Sequence, residues 1–252
     1  MGHAVAEYFA KGEKGKERIV VYSPMFDDDE MPVQTLFRQY NQMPALEQKA
    51  LQLAKGKILD VGACAGCHSL VLQEMNKTVT AIDISPLCVE TMVKRGVKDA
   101  RLIDFWEVEE KFDSVLMLMN GIGIVGNMAK LPDFFRQLDK ILTPDGCVYL
   151  DSSDLCYLYE DEDGIIELPD DENYYGEISF QMQYKNIMGE KFPWLYIDAE
   201  KLQEEAIKHD FIVKIVKDGE HYDYLAEIRR MYYKKRSAKK YSHSSLPTGV
   251  LQ

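Results

Sequence analysis

No run in these 252 residues is long and apolar enough to cross a bilayer. No secretory leader is legible either, because the short apolar stretch near the start is broken by Glu7 and followed by mixed charge. Positive charge is scarce: 30 Lys and Arg against 42 Asp and Glu leave a formal net charge of −12. That argues against a general nucleic-acid binder, which needs a basic face to neutralise phosphates. Cysteine is sparse and odd in number, at positions 64, 67, 88, 147 and 156, in apolar or small-residue settings. Such a set fits reduced thiols in a cytoplasm better than a disulfide framework. There is no internal repeat, and oligomeric state is left open.

What is present is 46% hydrophobic residues, enough for one large domain or one domain with an insertion. The first 55 residues read as an extension: a short amphipathic helix over 2–11, a strand at "RIVVYS", an acidic loop over 26–32, and helical periodicity across 33–54 with a second helix starting at Pro44. From Lys57 the texture becomes regular. Strands are expected at 57–61, 78–83, 100–104, 112–119 and 147–151, with helices at 66–75, 85–96 and 131–142 between them. Ser85, Pro86 and Gly96 mark the ends of the middle helix. This β-α-β-α rhythm predicts an α/β fold, an open parallel sheet with helices on both faces. The rhythm breaks at an acidic, turn-rich insertion over about 159–193, which includes one alternating strand at 177–186. A helix over 198–209 and two strands about Asp218-Gly219 complete a domain over 56–234, and residues 235–252 read as a disordered tail.

The most informative stretch is "KILDVGACAGCHSL". Cys64, Cys67 and His68 form C-x-x-C-H, a pattern shared by haem attachment, redox dithiols and half zinc sites. Haem attachment normally accompanies export, and zinc needs a second ligand pair that the remaining cysteines do not supply as C-x-x-C. A dithiol at a helix start is chemically sound, yet the surrounding alternation is longer than a thioredoxin-like fold needs. The same letters place Gly62 and Gly66 between a strand and a helix, where free backbone N–H groups can cradle a ligand. Asp60, Asp83 and Asp104 end three successive strands, with Asp83 lying 23 residues after Asp60. A carboxylate at the second strand tip suits ribose hydroxyls, so a nucleotide site is the stronger reading. A dinucleotide fingerprint would want glycine at 62, 64 and 67, and two of the three are cysteine.

These motifs resemble the class I S-adenosylmethionine-dependent methyltransferases. "DVGACAG" is similar to the family's glycine loop with Cys64 at the middle glycine, and "AIDIS", "LIDFW", "FDSVLMLMNGIG" and "LTPDGCVYLD" are similar to its later strand ends. The resemblance implies a Rossmann-like, seven-stranded, mostly parallel sheet with an antiparallel last strand. It implies S-adenosyl-L-methionine as cofactor. The loop Gly62, Ala63, Cys64 and Gly66 would hold the methionine end, Asp83 the ribose, and Asp104 with Phe105 the adenine, with Asp60, Ile84 and Asn120 also among the cofactor-binding residues. Asn120, at the fourth strand's tip, would stand where methyl and acceptor meet; its plainer role is a turn former. Asp151 and Asp154 would face the acceptor or cap turns. His221, Tyr222 and the pair Tyr174-Tyr175 are further acceptor-site candidates, although a histidine beside a tight turn is more often exposed. Trp106 and Trp194 read better as core. Metal-dependent relatives carry a carboxylate where Asn120 stands, so no catalytic metal is expected. The expected activity is methyl transfer to an oxygen or nitrogen of a small molecule, with protein or RNA methylation, or a non-catalytic cofactor-binding module, as the alternatives. The acidity of the insertion hints at an amine-bearing acceptor.

Overall fold

A computed structural model describes residues 1–168 and 173–231. The expected tail at 235–252 lies outside the described residues. The chain opens with helix α1 (Gly2–Ala10), strands β1 (Arg18–Tyr22) and β2 (Asp29–Pro32), and helix α2 (Ala45–Leu53). The alternation then runs β3 (Lys57–Val61), α3 (Cys67–Glu74), β4 (Thr78–Asp83), α4 (Pro86–Arg95), β5 (Ala100–Leu102), β6 (Phe112–Met117), α5 (Leu131–Ile141) and β7 (Leu142–Ser153). A hairpin of β8 (Glu177–Tyr184) and β9 (Ile187–Leu195) follows, then α6 (Ala199–Lys208), β10 (Phe211–Asp218) and β11 (Asp223–Arg230).

The seven-stranded sheet has the order β10-β11-β7-β6-β3-β4-β5, and β11 alone runs against its neighbours. The central strands read as unbroken apolar runs because both faces are covered. Leu59, Val115 and Met117 pack with Phe134, Phe135 and Leu138 of α5 on one side. Ile58 and Leu116 pack with Leu46 and Leu51 of α2 and Val71 and Leu72 of α3 on the other. Local chemistry sets the helix ends. Ser85 Oγ accepts the Cys88 N–H at 3.4 Å, Pro86 takes the first helical position, and Gly96 closes α4 at φ +97°. No helix among the described residues is long and apolar enough to cross a membrane.

A second sheet, order β2-β1-β8-β9, joins the N-terminal segment to the segment after β7. Val20 pairs with Gln183 across β1 and β8, and Ile178 with Trp194 across β8 and β9. The sequence reading differs here in three places. Residues 29–32 of the acidic loop form an edge strand. Much of 33–43 folds as two 3-10 turns, Val33–Phe37 and Tyr40–Gln42, and α-helix begins only after Pro44. Strand β9 carries Pro193, which argues against a central strand; as an edge strand it tolerates the missing N–H. Ala4, Val5 and Tyr8 of α1 and Ile19 of β1 are buried with Ala65 and Cys88, so this second sheet and its helix rest on the loop after β3 and the start of α4.

Candidate functional site

The loop between β3 and α3 is wound left-handed at alternate residues: Gly62 at φ +65°, Cys64 at +53° and Gly66 at +78°. At Gly62 a Cβ would have room, its nearest atom being Ile124 Cδ1 at 3.6 Å, so glycine serves the backbone conformation there. At Gly66 a Cβ would lie 2.8 Å from Val97 Cγ2, so glycine also serves close packing. Cys64 holds the same left-handed conformation with a side chain attached, at a cost of about 1–2 kcal/mol. Its backbone N–H donates to Asp83 Oδ2 at 2.9 Å, and the Ser85 N–H donates to Asp83 Oδ1 at 2.8 Å. Burial pushes the Asp83 carboxyl up, against these two donors. Each oxygen retains acceptor capacity for a ligand hydroxyl.

Around this clamp, the remaining strand tips fall into place. Ile84 is 73% exposed and lines the same cavity as Asp83. Asp104 also lines it, accepting the Trp106 N–H at 3.1 Å, beside the buried ring of Phe105. Asp60 is buried, accepts from Ser69 Oγ at 2.6 Å, and has its carboxyl pushed up by burial. Next to it, His68 Nε2 lies 2.7 Å from Glu47 Oε2, and Arg38 donates to both Glu47 oxygens at 2.8 and 2.9 Å. Burial opposes charge on both partners, but the hydrogen bond and the neighbouring charges prevail: Glu47 is held below its ordinary range and His68 above. Nothing in the sequence signals the part played by Glu47, since α2 brings it from an ordinary amphipathic helix.

The three C-x-x-C-H side chains turn to different neighbours. Cys64 faces Cys88, Cys67 opens α3 and is buried in the core with Leu46, Leu51 and Ile58, and His68 pairs with Glu47.

The cavity has a volume of about 1340 Å³ and runs from the glycine loop to the inner face of the second sheet. Phe180 and Met182 of β8 and Phe192, Trp194 and Tyr196 from the β9 side wall it, while Asp27, Asp28, Asp29 and Glu190 also contribute to its lining. Trp194, expected as core, lines the cavity and lies against the 3-10 turn Gly121–Val125: a Cβ on Gly123 would be 2.0 Å from its ring.

Other sequence candidates lie elsewhere. Asn120, at φ +57°, donates its N–H to Asp151 Oδ1 at 2.9 Å and its Nδ2–H to the Leu195 carbonyl at 3.2 Å. Met119 and Gly121 line the cavity, whereas Asn120 and Asp151, each partly exposed, are not among its lining residues. Burial pushes Asp151 up to about 7. His221 is brought to no site: it is exposed on the turn between β10 and β11, with its N–H on Asp223 Oδ1. Tyr222 is exposed and stacks on Tyr157. Tyr175 donates to Asp154 at 2.8 Å, and Tyr174 and Tyr175 both donate to Asp198, the N-cap of α6, so the pair anchors the insertion rather than lining the cavity.

A parallel sheet of this order, with a left-handed loop after its first strand and acidic tips on the next two, defines a Rossmann-like nucleoside-binding domain. The comparisons with known proteins give the family. Residues 59–150 match the model of a methyltransferase domain. The crystal structure of an S-adenosylmethionine-dependent methyltransferase from Bacteroides fragilis, in complex with S-adenosyl-L-homocysteine, is 50% identical, covering 92% of this chain and 94% of that one at a TM-score of 0.86. The chain belongs to the class I S-adenosylmethionine-dependent methyltransferases. Two more distant structures share the fold. They are the methyltransferase CcbJ from Streptomyces caelestis (13% identity, 79% of this chain and 98% of that one, TM-score 0.56) and the sugar N-methyltransferase KedS8 from Streptoalloteichus (14%, 78% and 88%, TM-score 0.51). A search of curated proteins returns no match.

Two predictions follow from these contacts. In the folded state Asp151 keeps its proton until about pH 7, while in the unfolded chain it loses it near pH 4. Unfolding therefore releases a proton between those values, and this group lowers stability as pH rises through that window. Replacing Asp151→Asn removes that slope, so the variant gains on the wild type by up to the order of 4 kcal/mol between pH 4 and 7 in denaturant titrations. Parallel pH profiles for the two proteins would contradict the buried carboxyl. Second, Gly123→Ala drives Trp194 off its turn. The expected result is a shifted tryptophan emission spectrum and a stability loss of roughly 1–3 kcal/mol; an unchanged spectrum would contradict the contact.

Proposed function

We propose that this protein transfers the methyl group of S-adenosyl-L-methionine to an oxygen or nitrogen of a small-molecule acceptor held beneath the second sheet. The observation that carries this is the cavity itself: one space joins the Gly62–Gly66 loop and Asp83 to an aromatic wall built by β8 and β9. Bound there, the cofactor supplies an electrophilic methyl on a sulfonium. Asp83 would accept from the ribose hydroxyls, Asp104 with Phe105 would hold the adenine, Asp60 with the Gly62–Gly66 loop would hold the methionine end, and Ile84 lines the cavity beside Asp83.

The chain's remaining task is orientation, which is worth roughly 7–11 kcal/mol in the best intramolecular cases. Asn120 contributes by fixing the turn against which Trp194 packs, through its bonds to Asp151 and the Leu195 carbonyl. Phe180, Phe192 and Trp194 offer flat apolar faces to the acceptor and exclude water. Four acidic residues, Asp27, Asp28, Asp29 and Glu190, favour an acceptor carrying an amine, because aromatic faces and carboxylates both attract a cation. The same carboxylates oppose a phosphate backbone, which supports a small molecule over RNA. Five unpaired cysteines support a reducing, cytoplasmic setting.

The test is to incubate the protein with cofactor labelled on the methyl group and a deproteinised cell extract. Label is expected in low-molecular-weight products retained on a cation-exchange resin. Label recovered instead in protein or RNA, when those are supplied, would overturn the reading.

A further inference from the structure

The sequence offers Cys64 and Cys67 as a thiol pair, but the fold pairs Cys64 with a different residue. Cys64 Sγ lies 3.8 Å from Cys88 Sγ, and both are unpaired thiols. We propose that Cys64 and Cys88 are a redox modification site, closing to a reversible disulfide under hydrogen peroxide and thereby weakening the hold on the cofactor.

The geometry carries the first part. Cys64 lines the cofactor cavity and is partly exposed, so a small oxidant reaches it from inside the cleft. Cys88 is buried beneath α1, among Ala4, Val5 and Tyr8, with no exposure to solvent. It sits in the first turn of α4, its N–H on Ser85 Oγ. The two sulfurs share a hydrogen bond that favours charge on Cys88 and disfavours it on Cys64. Oxidation then proceeds in two balanced steps. The Cys64 sulfur attacks the peroxide O–O bond, giving a sulfenic acid at Cys64 and one water. The Cys88 thiolate, whose own proton has passed to solvent, attacks that sulfur and expels hydroxide, which takes a proton back from solvent and leaves as a second water. Two thiols and one peroxide become one disulfide and two waters; the sulfurs are oxidised and the peroxide reduced.

The second part follows from what lies across the same gap. A disulfide needs its sulfurs about 2.05 Å apart, so the pair must draw together by roughly 1.8 Å. Asp83 already bridges the same two segments, taking the Cys64 N–H with one oxygen and the Ser85 N–H with the other. Cys64 is also the member of the left-handed loop that pays a side-chain penalty for its φ of +53°. Pulling its sulfur toward α4 turns the loop amides and the carboxylate away from the geometry that grips the cofactor. By reciprocity, bound cofactor resists the crosslink.

The experiment uses the full-length protein, reduced and then exposed to stoichiometric hydrogen peroxide. Trypsin places Cys64 and Cys67 on peptide 58–77 and Cys88 on peptide 78–94. The expected result is a linked 58–77/78–94 pair lacking two hydrogens. S-adenosyl-L-homocysteine affinity, read by calorimetry, falls at least tenfold in proportion to that pair and returns with dithiothreitol. Saturating S-adenosyl-L-homocysteine slows the crosslinking several-fold. In Cys88→Ser, and in Cys88→Ala should the serine variant fold poorly, the linked pair is absent and the proportional loss disappears. A loop closed within peptide 58–77 instead, a crosslink that leaves affinity unchanged, or an equal loss in the Cys88 variants would each overturn the proposal.

Discussion

Asp83 receives one backbone N–H from the loop that ends β3 and another from the residue that caps α4, at 2.9 and 2.8 Å. Both donors are fixed by the chain around them: Cys64 by its left-handed conformation between two glycines, Ser85 by the cap it makes for α4. A half-buried carboxylate held on two sides keeps its orientation before any ligand arrives, and such preorganisation reduces what binding must spend on ordering. The first two strands of the parallel sheet therefore meet at one acidic tip. The left-handed loop, the exposed Ile84 and the neighbouring Asp104 are all placed relative to it.

The second sheet gives this cleft its other wall. Neither of its halves stands alone, because β1 comes from the start of the chain and β8 and β9 from beyond β7. Their pairing brings an acidic run from one segment opposite aromatic rings from the other, around a single cavity. Helix α1 then seals the arrangement against α4, so the second sheet, the loop after β3 and the start of α4 share one packed cluster. Glu47 and His68, both buried, pair with each other and with Arg38 and tie α2 to α3. A pair buried in this way is costly to break, because either partner would be left as an uncompensated charge.

Much of the parallel domain was legible in the sequence, and for a physical reason. Ser85, Pro86 and Gly96 announce a helix by local chemistry, and the apolar runs at 57–61 and 112–119 announce strands covered on both faces, the second of which ends at Met117. Asp60, Asp83 and Asp104 were legible because strand ends recur at regular spacing. The second sheet was not. Its partners, β1 and β8, are separated by about 160 residues of sequence, and pairing over such distance leaves no local mark. Pro193 disguised β9, which is a strand only because it lies at an edge. The tertiary meetings of Cys64 with Cys88, His68 with Glu47, and Trp194 with Gly123 likewise depend on packing between elements that periodicity alone cannot bring together. His221 shows the converse: a residue type suited to catalysis, on a turn that the fold leaves exposed.

The central claim is that the Asp83 clamp and the left-handed loop form the grip on the adenosyl cofactor. Titration calorimetry with S-adenosyl-L-homocysteine tests it most directly, on the wild type and on Asp83→Ala. The account predicts one-site binding to the wild type at micromolar concentrations and at least a thirtyfold weaker affinity for the variant, roughly 2 kcal/mol for lost charge-assisted hydrogen bonds. A folded wild-type protein that gives no heat of binding at millimolar ligand, or an Asp83→Ala variant that binds as tightly, would contradict it.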